Sequence, residues 1–383
     1  MRLSAYAFPW DFLGDDASLE RVAELEPDVV VLAATYHGAR VASPLHPSRR
    51  VLDIPESACY VAVREETWRG RRLRPAPPAW LGVPDAFGTA REALATLGIA
   101  TDAWIVLCHD DTIGRLHPEL TTRNAFGDRY PYALCPASPE VRDYAETLVE
   151  EVVLAHPLRG VVLEACGPVG VEHATLHDKI EFAAWSSTDL ALLSLCFCDA
   201  CQLAMGEYGL DDTELATRVR HAIGGTALSV DEALGGDIAT TLAAFRQGLV
   251  ATLLRGCVAR VRHAAPDARI TVHGAGDAWT TGSFCAVGDP RALEEVDAVV
   301  ANGWENATRM PRLVQLREFA DVARALGTYL RLDHGWPADS VDLEVARFAA
   351  AGVDELHLYH LGLWPGAQWR VAREVAAAVR GTR

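Results

Sequence analysis

The chain is almost without lysine: of 35 basic residues in 383, only Lys179 is not arginine. Such a bias is mutational in origin and carries no function, but it singles out the lone ammonium. No basic run and no RNA- or DNA-binding signature is present. With 52 acidic against 35 basic residues the formal charge is −17, which disfavours nonspecific binding to nucleic acid or anionic lipid. No uninterrupted apolar run reaches the roughly 18 residues of a membrane span. The N-terminal residues before Asp11 lack a signal-peptide apolar region. The expectation is a soluble, cytoplasmic protein with no nucleic-acid or membrane partner. Nine cysteines, an odd number in a large chain, argue against a disulfide framework. A glycine-rich phosphate turn after an early strand is also missing, since Gly274-Ala275-Gly276 lacks the third glycine; this disfavours an open dinucleotide-binding sheet.

What is there is a repeating alternation. Eight short β-rich runs occur at 3–8, 28–34, 103–108, 160–164, 269–273, 297–302, 328–333 and 354–359. Between them lie apolar-periodic stretches of helix formers, among them 18–25, 141–154, 239–264, 311–325, 342–351 and 369–379. Strands alternating with helices imply a parallel sheet, and eight of them a (β/α)8 TIM barrel. About 70 residues separate strands two and three and about 100 separate strands four and five, so both connections must carry structure or function. Residues 1–383 are read as a single barrel, with 167–238 as a long, largely helical insertion after strand four.

Barrel enzymes place their chemistry at the C-terminal ends of the strands. Here those ends carry Trp10, Tyr36, His37, His109, Asp110, Glu164, His273, Trp304, Glu305, Asp333, Trp336, His357 and Tyr359. Indoles stack on the apolar faces of sugar rings, while carboxylates and imidazoles bond the hydroxyls, so the set suits a carbohydrate. Glycoside hydrolysis needs one carboxylic acid to protonate the leaving oxygen and one carboxylate as nucleophile or base. Glu164 ends an otherwise apolar strand, a setting that favours the protonated form of an acid. Asp333 ends a strand across the barrel, on the same face as Tyr329 and Arg331, where Arg331 would hold it ionised; Glu305 and Asp110 are the reserve carboxylates. After strand four, His173 and His177 lie four apart, beside Lys179. This is either a polar helix face or a substrate-binding loop in which Lys179 meets a hydroxyl or an anion.

Cys196, Cys198 and Cys201 form a C-x-C-x-x-C run with the spacing of a tetrahedral metal site. A fourth ligand is needed, and Cys135, Cys166 and Cys108 are the candidates. The order Cys135-Pro136-Ala137-Ser138-Pro139, then Glu164, then Cys196, Cys198 and Cys201, resembles family 42 of the glycoside hydrolases, β-galactosidases of a large retaining barrel clan. The resemblance covers residues 100 to 205. It implies Cys135 as fourth ligand of one structural zinc, Glu164 as acid/base, and a seventh-strand carboxylate, here Asp333, as nucleophile. The chain departs from that clan at Leu163, where the clan has Asn, and at Asp333, where it has Glu.

The leading expectation is therefore a glycoside hydrolase acting on a soluble glycoside or small oligosaccharide, with structural zinc and no organic cofactor. One alternative is a sugar isomerase or lyase whose divalent ion is held by His37, His109, His273 and His357 with Glu164 and Asp333. The other is a barrel that binds sugar without turning it over. A homo-oligomer is compatible with such barrels, though no residue pattern specifies one.

Overall fold

The structure, a computed structural model, describes residues 1–173, 179–332 and 341–382. Eight parallel strands carry the fold: β1 (Arg2–Ala7), β2 (Val29–Ala33), β3 (Thr101–Val106), β4 (Gly160–Glu164), β5 (Arg269–Ala275), β6 (Ala298–Asn302), β7 (Leu326–Arg331) and β8 (Glu355–Tyr359). Each pairs with its neighbours in sequence order, and β8 returns to β1, so the sheet closes into the expected TIM barrel. Runs such as Val29-Val30-Val31-Leu32-Ala33 are apolar at every position because one face meets the barrel interior and the other the surrounding helices.

Helices Asp16–Leu25, Ala86–Thr96, Pro139–Ala155, Gly236–Ala264, Asn306–Ala323, Val341–Ala350 and Gly366–Gly381 form the outer layer. Local chemistry sets their starts. Ser138 caps the third through the Val141 amide, Pro139 occupies its first position and Glu140 its first turn. Between β5 and β6 the chain makes a short strand, Cys285–Ala286, paired with β5, and the short turn Pro290–Leu293 instead of an α-helix. Helix Gly236–Ala264 is long and apolar enough to cross a membrane by length and composition. Its buried Val250, Leu253, Leu254, Cys257 and Val261 instead join the barrel's core.

Several boundaries differ from the sequence reading; β3, for one, runs two residues earlier than expected. Pro311 lies inside helix Asn306–Ala323 rather than at its start. Its missing N–H forfeits a bond only to the carbonyl of residue 307, in the first turn, so the helix extends back past it. Strand β7 runs from Leu326 to Arg331, two residues earlier than expected, because Leu326 already pairs with Val299 of β6.

The connections after β2 and β4 carry structure of their own, as their length implies, and the one after β3 adds a hairpin that the sequence reading does not include. After β2, two antiparallel pairs form, 35–36 with 58–59 and 39–42 with 51–54. After β3, strands Thr121–Arg123 and Arg129–Leu134 make a hairpin that delivers Cys135 to the helical segment following β4. That segment contains helices Ser187–Leu193, Asp199–Glu207, Asp212–Ala222 and Val230–Leu234. Its side chains Leu192, Phe197, Met205, Leu215 and Val219 pack with the cysteines and with Leu242 of helix Gly236–Ala264 into a second apolar cluster beside the barrel core.

Candidate active site at the barrel mouth

Glu164 closes β4 and, by strand alternation, shares the inward face with Gly160 and Val162. Only 4% of it is exposed. Trp104, inward on β3, donates its indole Nε1–H to Glu164 Oε2 at 2.8 Å. The Nδ1 of His273, inward on β5, lies 3.2 Å from the same oxygen. Among the described residues no hydrogen bond falls on Oε1. A carboxyl held by one oxygen, with the other left for a ligand, is the arrangement that proton transfer requires.

Tyrosines surround this carboxyl. Burial, and after it the charge of Glu164, raises the Tyr329 phenol well above its usual range; burial and then Glu164 do the same to Tyr6. Tyr36 and Tyr359 approach each other at 3.5 Å between their oxygens. Burial raises Tyr359 to about 12 against the opposing hydrogen bond with Tyr36. All four phenols therefore keep their protons near neutrality and serve as donors.

The wall above is aromatic and partly open. Trp304 is 37% exposed. It stacks at 5.9 Å on Tyr329, lies 5.2 Å from Tyr359, and has the Arg331 guanidinium 4.9 Å from its ring centroid. Its position follows from the turn after β6, where the Asn302 side chain accepts from the Trp304 amide at 3.0 Å. On the other side the rings of His37 and His109 stack at 4.1 Å, and burial lowers the pKa of His37. The mouth thus pairs one sequestered carboxyl with an exposed indole face and several phenol donors, the chemistry that suits a sugar.

Several residues read as substrate-binding sit elsewhere. Trp10 has no exposed surface; it stacks on Phe8 at 4.3 Å and packs against Tyr60 and Trp80, so it supports the mouth from within the core. Asp110 caps helix Asp111–Leu116, accepting from the Ile113 amide at 2.9 Å and from the Tyr144 hydroxyl at 3.2 Å. Glu305 precedes helix Asn306–Ala323 with its carboxylate turned to solvent, 3.7 Å from Arg312. Arg331 lies over Trp304, a partner the sequence reading did not assign to it. Lys179 is exposed, with its ammonium 5.8 Å from the Phe182 ring centroid. His173 ends the short turn Val171–His173, while His177, Asp333 and Trp336 lie outside the described residues. Sequence reasoning missed Tyr6 and Trp104. Both have a polar atom at an inward strand position, flanked two residues away by Ser4 and Asp102 on the same faces, and that alternation was the available signal.

Among the described residues, which do not include Asp333, the imidazoles form no metal cluster. His273 Nε2 and His357 Nδ1 both meet the Tyr6 hydroxyl, at 2.8 and 3.1 Å, and His37 Nδ1 lies 2.8 Å from the Gly38 carbonyl. Among the described residues one group of potential ligands does converge: the sulfurs of Cys135, Cys196, Cys198 and Cys201 all lie within 4.8 Å of one another. The Cys135 sulfur is 3.3 Å from that of Cys201 and 3.7 Å from that of Cys196. A tetrahedral ion with metal–sulfur bonds of about 2.3 Å would hold its sulfurs about 3.8 Å apart, so this cluster could bind a metal ion. Cys108 and Cys166 belong to the barrel core instead.

No family model matches the chain, and neither does any curated protein sequence. Solved structures do. The PgaB glycoside hydrolase domain from Bordetella bronchiseptica superimposes with a TM-score of 0.61 at 12% identity, covering 98% of this chain and 99% of that one. The α-L-fucosidase isoenzyme 2 from Paenibacillus thiaminolyticus gives 0.58 at 13% identity, over 99% of this chain and 49% of its own. A family 42 β-galactosidase from G. stearothermophilus gives 0.54 at 11% identity, over all of this chain and 56% of its own. The chain thus spans about half the length of the last two. These likenesses establish the barrel, and the proteins that share it are glycoside hydrolases.

Proposed function

We propose that the protein is a glycoside hydrolase acting on a soluble glycoside or small oligosaccharide, with Glu164 as general acid/base. The observation that carries this reading is the setting of Glu164: nearly sealed at the C-terminal end of a barrel strand and bonded through Oε2 alone, with Trp304 exposed in the aromatic wall of the same mouth. The kinship of the fold with glycoside hydrolases supports it.

In this reading a sugar ring stacks on Trp304, its hydroxyls bond Tyr359 and His37, and Glu164 protonates the glycosidic oxygen. Asp333 is assigned the partner carboxylate. Asp11, Asp110 and Asp111 are each committed to backbone amides, of Phe8, Ile113 and Ser57 respectively. The seventh strand approaches the mouth through Tyr329 and ends at Arg331, two residues before Asp333. A structural zinc is assigned to Cys135, Cys196, Cys198 and Cys201, binding the hairpin after β3 to the helical segment after β4.

The test is hydrolysis of a panel of aryl glycosides, α and β, pyranoside and furanoside, by the wild type, Glu164→Gln and Asp333→Asn. Turnover of at least one glycoside, reduced 10²-fold or more in each variant, is the expected result. No turnover across a panel that includes fucosides, galactosides and glucosaminides would overturn the reading.

A further inference from the structure

A single file of polar groups runs from the mouth to the floor of the barrel, and the proposed reaction leaves most of it without a role. From Glu164, His273 follows at 3.2 Å through Nδ1. Its Nε2 lies 2.8 Å from the Tyr6 hydroxyl, which in turn lies 3.1 Å from Nδ1 of His357. The Nε2 of His357 is 3.1 Å from Glu355 Oε2, and Arg269 meets the other Glu355 oxygen at 2.6 Å. His273, Tyr6, His357 and Glu355 are all at most 3% exposed. The room for this file is built into the backbone: a Cβ at Gly327 of β7 would sit 3.2 Å from the His357 ring and 2.8 Å from Val300.

The donors and acceptors along the file are not interchangeable. Glu355 can only accept while it is ionised. Burial pushes its carboxyl up, but the His357 ring and the charges of Arg269 and Arg2 prevail and bring it to about 2. Nε2 of His357 must then carry a proton. Burial keeps this ring neutral, lowering its pKa by more than Glu355 raises it, so Nδ1 is bare. The Tyr6 hydroxyl spends its one proton on that nitrogen and can only accept from His273, whose Nε2 must therefore be the protonated nitrogen. Nδ1 of His273 is left facing Glu164 Oε2. Among the described residues that nitrogen makes no hydrogen bond, so the file ends at a bare Nδ1 beside the carboxyl.

We infer that Tyr6, His357 and Glu355 are positioning residues that hold His273, the ring beside Glu164, with its hydrogen on Nε2. The inference rests on the glycosidase reading for its purpose: the ring next to a carboxyl that must donate a proton is kept in one tautomer by a relay anchored at the barrel floor. The tautomers themselves stand whatever the reaction.

The ring-nitrogen NMR spectrum of protein labelled with 15N-histidine tests this without any substrate. The signals are assigned by their loss in His273→Gln and His357→Gln. Wild type should show both rings with hydrogen on Nε2 and none on Nδ1 of His357. In Tyr6→Phe, which removes a single oxygen, His357 should keep its tautomer because Glu355 still holds it, whereas His273 should lose its fixed one. Nδ1–H on a neutral His357 in the wild type, or an unchanged His273 signal in Tyr6→Phe, would overturn the inference. Because these signals require no turnover, their outcome is separate from that of the glycoside panel.

Discussion

At the scale of single residues, the site depends on side chains with surface to offer and side chains that have none. Trp304 and Trp10 are both indoles at strand ends, and the sequence gives them equal standing. Only Trp304 is open, and Trp10 is locked between Phe8, Tyr60 and Trp80. Trp304→Ala should raise KM about 10-fold with a smaller effect on kcat, the signature of lost sugar stacking present equally in ground and transition states. Steady-state kinetics on whichever glycoside is turned over reads this split; a kcat loss at unchanged KM would assign the indole to the chemistry instead. Glu164 was legible because one charge at the end of an apolar strand is costly unless it serves a purpose. Its partners Trp104 and His273 come from the neighbouring strands on either side, and no short-range pattern ties them to it.

At the scale of elements, strands and helices were readable where their periodicity was strong. Runs of β-branched residues at β2, β4 and β6 admit no other reading, and Ser138-Pro139 announces a helix start. The inward face of each strand was harder to read. Arg2, Ser4 and Tyr6 alternate on β1, and Glu355 opens β8. These polar positions look solvent-facing until the barrel closes and turns them into its interior. The helical segment after β4 has its own small core, and three of the four cysteines sit in it where it meets the hairpin that supplies Cys135. If zinc ties the two together, the purified protein should contain about one zinc per chain. Prolonged chelation, or Cys198→Ser, should remove it and increase amide hydrogen exchange in 187–234 while the barrel strands stay protected. Full zinc loss with unchanged exchange there would remove the structural role of the metal.

At the scale of the whole molecule, the barrel floor is an ion cluster. Arg2 reaches Asp102 at 3.0 Å and Glu355 at 3.6 Å, and Arg269 reaches Glu355 at 2.6 Å. Its carboxylate Glu355 is depressed from 4.5 to about 2, so its contribution is present above pH 4.5 and is lost as pH falls towards 2. That shift corresponds to about 3 kcal/mol. Glu355→Gln should destabilise the fold at pH 7 by about 3 kcal/mol, since it leaves Arg269 without its buried carboxylate and Arg2 with Asp102 alone. It should also flatten the fall in stability between pH 4.5 and 2. Urea unfolding across that range measures both, and an unchanged acid slope in the variant would contradict the assignment. The same floor anchors the file that ends at Glu164, so one buried network joins the stability of the barrel to the site at its mouth.

The central claim is that Glu164 donates the proton to the leaving oxygen. The most direct measurement is the dependence of Glu164→Gln on the leaving group. A dinitrophenyl glycoside needs almost no protonation to depart, whereas an alkyl or unactivated aryl glycoside needs it fully. The variant should retain turnover of the dinitrophenyl substrate to within about 10-fold of wild type in the glycosylation step, and lose 10²- to 10⁴-fold on the unactivated one. Equal loss on both substrates, or none on either, would contradict Glu164 as the acid.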